Sequence, residues 1–241
     1  MRWSVIIVTC ILLGFVSWSQ AAENRFQKFN TETEQAYAAY RKALFQTNMK
    51  DAEKSGKANE MFLKQWEQIQ QKYSDQPPEI FSTDPQWKDS LANIEDIAVK
   101  SDKQIKEGQI AEAHETLEAV RDELSNLRQR NSVIVFSDHI NNYHEVMEGL
   151  LDGGFTPEKI DKTAMIEISG HLAVLNYLAG AIKENAPVKY QDVEKYQKLQ
   201  NGLFTSLEAL TLAIQSENPE AISKSIKMLK PAYAKLFVNF G

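Results

Sequence analysis

The segment Ile110-Ala111-Glu112-Ala113-His114-Glu115-Thr116-Leu117-Glu118 and its second copy, His144-Glu145-Val146-Met147-Glu148, carry the reading of this chain. Both copies spell H-E-x-x-E inside apolar repeats of three and four residues, the period of an α-helix. A His at i and a Glu at i+4 lie on one face, one turn apart, so each copy is a two-ligand edge. Arg130-Asn131-Ser132 interrupts the pattern between them. A reversal centred on Asn131 would set His114 level with Glu148 and Glu118 level with His144. A single rod through Asn131 would instead hold the two histidines about 45 Å apart, and no joint site would exist.

Working outward, the composition beyond the first 22 residues favours an all-α fold, because Ala, Glu, Lys, Gln and Leu dominate and β-branched runs there are almost confined to Val133-Ile134-Val135. Thr31-Glu32-Thr33-Glu34 reads as a capping box opening a first helix with Tyr37, Tyr40 and Leu44 inward. A second helix carries Asn59, Phe62, Trp66, Ile69 and Tyr73, and Pro77-Pro78 ends it, with Ile80 and Phe81 expected to tuck in beyond. Asp84-Pro85 is expected to cap a third helix with Trp87, Leu91, Ile94, Ala98 and Ile105 on its stripe. Helix four carries Leu117, Val120, Leu124 and Leu127, and helix five Phe136, Ile140, Tyr143, Met147 and Leu151.

Beyond Asp152-Gly153-Gly154, Thr156-Pro157 is expected to open a sixth helix with Ile160, Ala164, Ile168, His171, Leu175, Leu178 and Ile182 on one face. A seventh runs from Pro187 to about Ser216, and an eighth follows Asn218-Pro219, with Pro231 expected to kink it. Tight polar turns at 48–51, 107–109 and 217–219 repeat one hairpin plan. The expectation is an antiparallel helical bundle of about eight helices built from hairpins. It would divide into 22–130 (helices one to four) and 131–241 (helices five to eight), or pack as one domain.

The start reads as a signal peptide over 1–21: Arg2, an apolar run from Val5 to Val16, then small residues allowing cleavage after Ala21 or Ala22. That run, about 12 residues, is short of the ~20 a spanning helix needs, so no membrane span is expected after cleavage. Cys10 is the only cysteine and would leave with the signal, which removes disulfide, thiolate and thiol-nucleophile chemistry. The chain holds 27 basic and 33 acidic residues without a basic cluster, which argues against nucleic acid and anionic lipid as partners. With no N-x-Ser/Thr sequon, this points to a periplasmic or secreted protein.

The chemistry open to the two H-E-x-x-E turns follows from their donors. Two imidazoles and two carboxylates, from His114, Glu118, His144 and Glu148, suit zinc, iron, copper or manganese, with His171 as an extra ligand if helix six packs over them. Four protein ligands would fill the coordination sphere, so storage, transport or sensing of the ion fits better than catalysis. A metalloprotease helix needs H-E-x-x-H, whereas the fifth position here is Glu. Di-iron carboxylate bundles place Glu before His, the reverse of this order. No Gly-rich phosphate loop and no G-x-S-x-G elbow occur.

Two other readings compete. The His–Glu pairs can be plain i,i+4 pairs or an interhelical salt-bridge ladder in a metal-free module that binds another periplasmic protein or carries a ligand. Non-covalent haem, held by His171 or His144 with a methionine, is a further alternative, since no C-x-x-C-H exists. His139 fits a helix entrance, where Ser137 or Asp138 would satisfy free amides.

Overall fold

The computed structural model describes the backbone of residues 4–241 and the side chains of residues 24–241. The signal expected over 1–21, Cys10 included, lies outside the residues whose side chains are described. Among the described residues there are nine α-helices and no strand. The chain divides into two compact units, Met1–Val133 and Ile134–Gly241.

The first unit contains α1 (Ser4–Asn48), α2 (Ala52–Tyr73), α3 (Trp87–Lys106) and α4 (Ile110–Arg130). Each helix packs on the next, and α4 returns to α1. The inward stripes are those of the sequence periods: Tyr40, Phe62, Trp66, Ile94, Leu117 and Val120 are fully buried. Polar groups inside are matched to carbonyls: Trp66 Nε1 donates to Leu91 O at 2.9 Å, and Asn59 Nδ2 donates to Ala98 O at 2.9 Å, both tying α2 to α3. At one end Phe29, Tyr73, Phe81 and Trp87 form an aromatic plug, with Phe81 stacked on Trp87 at a centroid separation of 4.9 Å. Phe81 sits in the 3-10 turn Glu79–Phe81, while Ile80, expected to tuck in, is 46% exposed.

Several boundaries differ from the sequence reading. No helix opens at Thr31-Glu32-Thr33-Glu34; α1 runs straight through, and Thr33 is buried within it. Asp84 does not cap α3, which starts at Trp87. The Asp84 carboxylate, its side chain 2% exposed, takes Arg130 Nε at 2.9 Å and Asn131 Nδ2 at 2.7 Å on Oδ2, clamping the end of α4, while its Oδ1 accepts from Gln86 N at 2.9 Å just before α3.

The second unit contains α5 (Phe136–Asp152), α6 (Lys162–Glu184), the single turn α7 (Val188–Gln191), α8 (Glu194–Gln215) and α9 (Pro219–Phe240). Here α5 packs on α6, α6 on α8, α8 on α9, and α9 returns to α5. Ile140, Tyr143, Met147, Ile168, Leu175, Leu203, Leu210, Ile222, Leu229 and Leu236 fill the centre. The helix expected from Pro187 to Ser216 is split, because Asp192 and Val193 leave the helical path and Val193 is the N-cap of α8. Thr156-Pro157 opens only a 3-10 turn, Pro157–Lys159. Asp161 caps α6, its carboxylate accepting from Ala164 N at 2.8 Å. The α9 helix continues through Pro231, which is exposed.

The three tight turns share a backbone device. Lys50 (φ 58°), Gly108 (φ 78°) and Glu217 (φ 51°) each adopt the left-handed conformation just before the next helix's N-cap. Asp51 N reaches back to Gln46 O and Gln109 N to Gln104 O, the six-to-one bonds that close a helix C-terminus. Only the middle turn uses the residue that adopts this conformation without strain.

Candidate functional site

Helix α4 ends at Arg130, Asn131 is its C-cap and Ser132 is left-handed (φ 56°), so the single-rod geometry is excluded. His114 and Glu118 belong to the first unit, and His144, Glu148 and His171 to the second. Among the described residues no group of three or more His, Cys, Asp or Glu is gathered at metal-holding distance. Each H-E-x-x-E turn instead has partners that the sequence pattern did not name.

In the first unit, His114 Nδ1 lies 2.9 Å from Thr47 Oγ1 and 3.2 Å from Leu44 O, while Thr47 Oγ1 itself donates to Leu44 O at 2.8 Å. A hydroxyl already donating to the carbonyl, and a carbonyl that can only accept, both require a proton on Nδ1. The ring thus pins the start of α4 to the last turn of α1, and its Nε2 is turned to Glu118 Oε1 at 3.8 Å. Arg121 Nη2 stands 3.6 Å from the same oxygen.

In the second unit, His144 Nε2 lies 3.3 Å from Glu148 Oε1, and Lys230 Nζ reaches that oxygen from α9 at 3.0 Å. The hydrogen bond from His144 and the neighbouring Lys230 ammonium outweigh burial, holding the Glu148 carboxyl down to about 2 from its ordinary value of 4.5. The imidazole is 9% exposed and packs against Tyr233 at 5.0 Å between centroids. Tyr233 is also stacked on Tyr143 and Phe237. Glu148 is therefore already neutralised by a cation from another helix, in a partly exposed structural ion pair.

His171 lies on the side of α6 that faces α5, with Cε1 4.0 Å from where a Cβ on Gly149 would stand. Its Nδ1 is buried and has no hydrogen-bond partner. At the entrance of α5, Asp138 Oδ2 accepts from Val135 N at 2.9 Å, the capping role expected there.

Two surface features stand outside these turns. Between α3 and α4 lies a cleft of about 630 Å³ lined by hydrophilic groups, among them Gln86, Asp89, Asn93, Glu123, Asn126 and Arg130. That lining lacks the apolar floor of a typical small-molecule pocket. On α6, the outward face carries Ile166 (75% exposed), Gly170, Ala173, Val174 (45%) and Tyr177 (75%). No Asp, Glu, Lys or Arg occurs from Ile168 to Ile182. The other long helices all place charged side chains on their solvent faces: Glu194, Lys195 and Lys198 on α8, for example, and Lys224, Lys227 and Lys235 on α9. Among the described residues α6 is the one helix long and apolar enough to cross a membrane, with a mean hydropathy of 1.3, although its inner face packs on α5 and α8. The inward stripe of α6 was legible from sequence; its outer face was missed, although the apolar residues left over from that stripe were the signal.

No protein-family model, no curated protein and no solved structure matches this chain.

Proposed function

We propose that this is an exported, periplasmic or secreted protein, built as an antiparallel helical bundle without a catalytic centre, that works as a metal-free interaction module. The observation that carries the reading is the outward face of α6, about four turns from Ile168 to Ile182 without Asp, Glu, Lys or Arg, with Tyr177 three-quarters exposed within them and Ile166 equally exposed just before. Monomeric soluble proteins rarely leave such a stripe uncovered, and its natural cover is another apolar helix. The His–Glu turns support the same reading, because each has its partners inside its own unit: Thr47 and Leu44 for His114, Tyr233 for His144 and Lys230 for Glu148.

A second reading keeps one divalent ion on His114, Glu118, His144 and Glu148, with His171 as an extra ligand. It is favoured by the state of His114. A ring whose Nδ1–H is fixed on a carbonyl offers its other nitrogen as a ligand, the usual arrangement behind metal-bound histidines. Equilibrium dialysis against zinc, ferrous iron, copper and manganese, followed by elemental analysis, separates the two readings. The module predicts no stoichiometric metal. About one ion per chain, lost in the His114→Ala/His144→Ala double variant, would overturn it. Haem titration followed at the Soret band tests the remaining alternative in the same way, with His171→Ala as its control.

A further inference from the structure

We propose that the partner of α6 is α6 of a second copy of this chain, paired antiparallel about a two-fold axis passing between Ala173 and Val174. This rests on the reading of α6 as a contact face and names what covers it. The exposed positions Ile166, Gly170, Ala173 and Tyr177 are spaced four, three and four residues apart, the seam along which two helices pack side by side. About that axis, the size of the side chains alternates in register. Ile166 comes level with Ala181, Gly170 with Tyr177, and Ala173 with Val174, so at each level a large residue meets a small one on the other copy. A closed two-fold contact requires this self-complementarity, because both copies present the same patch.

Charge agrees with the same register. The seam carries none between Ile168 and Ile182, the one exposed carboxylate inside its ends, Glu167, comes level with Gly180 of the other copy, and at its ends Lys162 of one copy comes within a residue of Glu184 of the other, twice by symmetry. In a parallel pairing Tyr177 would meet Tyr177, Gly170 would meet Gly170, and Lys162 would face Lys162. The contact runs about 23 Å along the helix at ~1.5 Å per residue. A seam of that length is at the small end of specific interfaces, so a dimer forming at micromolar concentration is expected.

The test is sedimentation equilibrium of the purified chain in a Cys10→Ser background at tens of micromolar, together with oxidation of Ala173→Cys. The expected results are twice the mass of the purified chain (27.4 kDa for all 241 residues), a disulfide-linked dimer through residue 173, and a dissociation constant weakened roughly 100-fold by Tyr177→Lys. Tyr177 is exposed, so this variant keeps the fold, which circular dichroism checks. A monomer that forms no cross-link overturns the second copy as partner. If that monomer floats with phosphatidylcholine vesicles and Tyr177→Lys does not, α6 is a contact face for lipid and only the dimer falls. If neither happens, the contact-face reading falls with it.

Discussion

Thr47 Oγ1 lies 2.9 Å from His114 Nδ1, joining the last turn of α1 to the first turn of α4 across 67 residues of sequence. Thr47 is 2% exposed, and an isosteric Val there removes the shorter of the two contacts of Nδ1, leaving Leu44 O at 3.2 Å as its one acceptor. Thr47→Val is expected to cost about 1–2 kcal/mol, read as a lower urea midpoint with an unchanged slope. A double-mutant cycle with His114→Leu should show coupling between the two positions. Additive effects would mean the contact contributes nothing.

Glu148 makes stability depend on pH in a defined direction. Its carboxyl is held to about 2 in the folded protein against an ordinary 4.5, so the unfolded chain takes up the proton first as pH falls. The stabilisation is complete above 4.5 and is lost progressively as pH falls towards 2. Glu148→Gln should therefore lower the melting temperature at pH 7, and its difference from wild type should shrink steadily between pH 5 and 2. A constant difference across that window would contradict the ion pair with His144 and Lys230.

Lys50 and Glu217 carry full side chains at φ 58° and 51°, where glycine alone is unstrained. The strain relieved is about 1–2 kcal/mol per residue, and the added freedom of the unfolded glycine takes back about 0.4–1. Lys50→Gly and Glu217→Gly should each stabilise the protein slightly, by up to about 1 kcal/mol. Gly108→Ala, at φ 78°, should destabilise it. Thermal melts of the three variants check the pattern by sign alone.

His171 leaves Nδ1 buried without a partner, a cost that a hydrocarbon side chain of similar size would not incur. His171→Leu is accordingly expected to hold or raise the melting temperature, with little change in near-ultraviolet dichroism. A large loss of stability would show that the ring has a polar partner in solution.

Much of the fold was legible because apolar spacing reports burial directly. The stripes Asn59, Phe62, Trp66, Ile69, Tyr73 and Trp87, Leu91, Ile94, Ala98, Ile105 are buried residue for residue. Caps were less legible, since a Thr-x-x-Glu pattern is equally at home inside a helix, as at Thr31-Glu32-Thr33-Glu34, and an Asp can be claimed by a distant arginine, as Asp84 is by Arg130. Spacing within one helix placed His144 beside Glu148 and His114 beside Glu118. Their other partners, Thr47 on α1 and Lys230 on α9, are far away in sequence and follow no local period. The outer face of α6 was illegible from spacing for a different reason: a helical period assigns one face inward, and the exposure of Ile166, Val174 and Tyr177 on the other depends on what packs over it, which no local period encodes.

The closure of α1 to α4 and of α5 to α9 shapes how the chain acquires its structure. Contacts within each unit are mostly between consecutive helices, and local contacts form quickly because little chain entropy is lost in bringing them together. The amino-terminal unit is therefore expected to complete its core first as the chain is made, before residues beyond Val133 have packed.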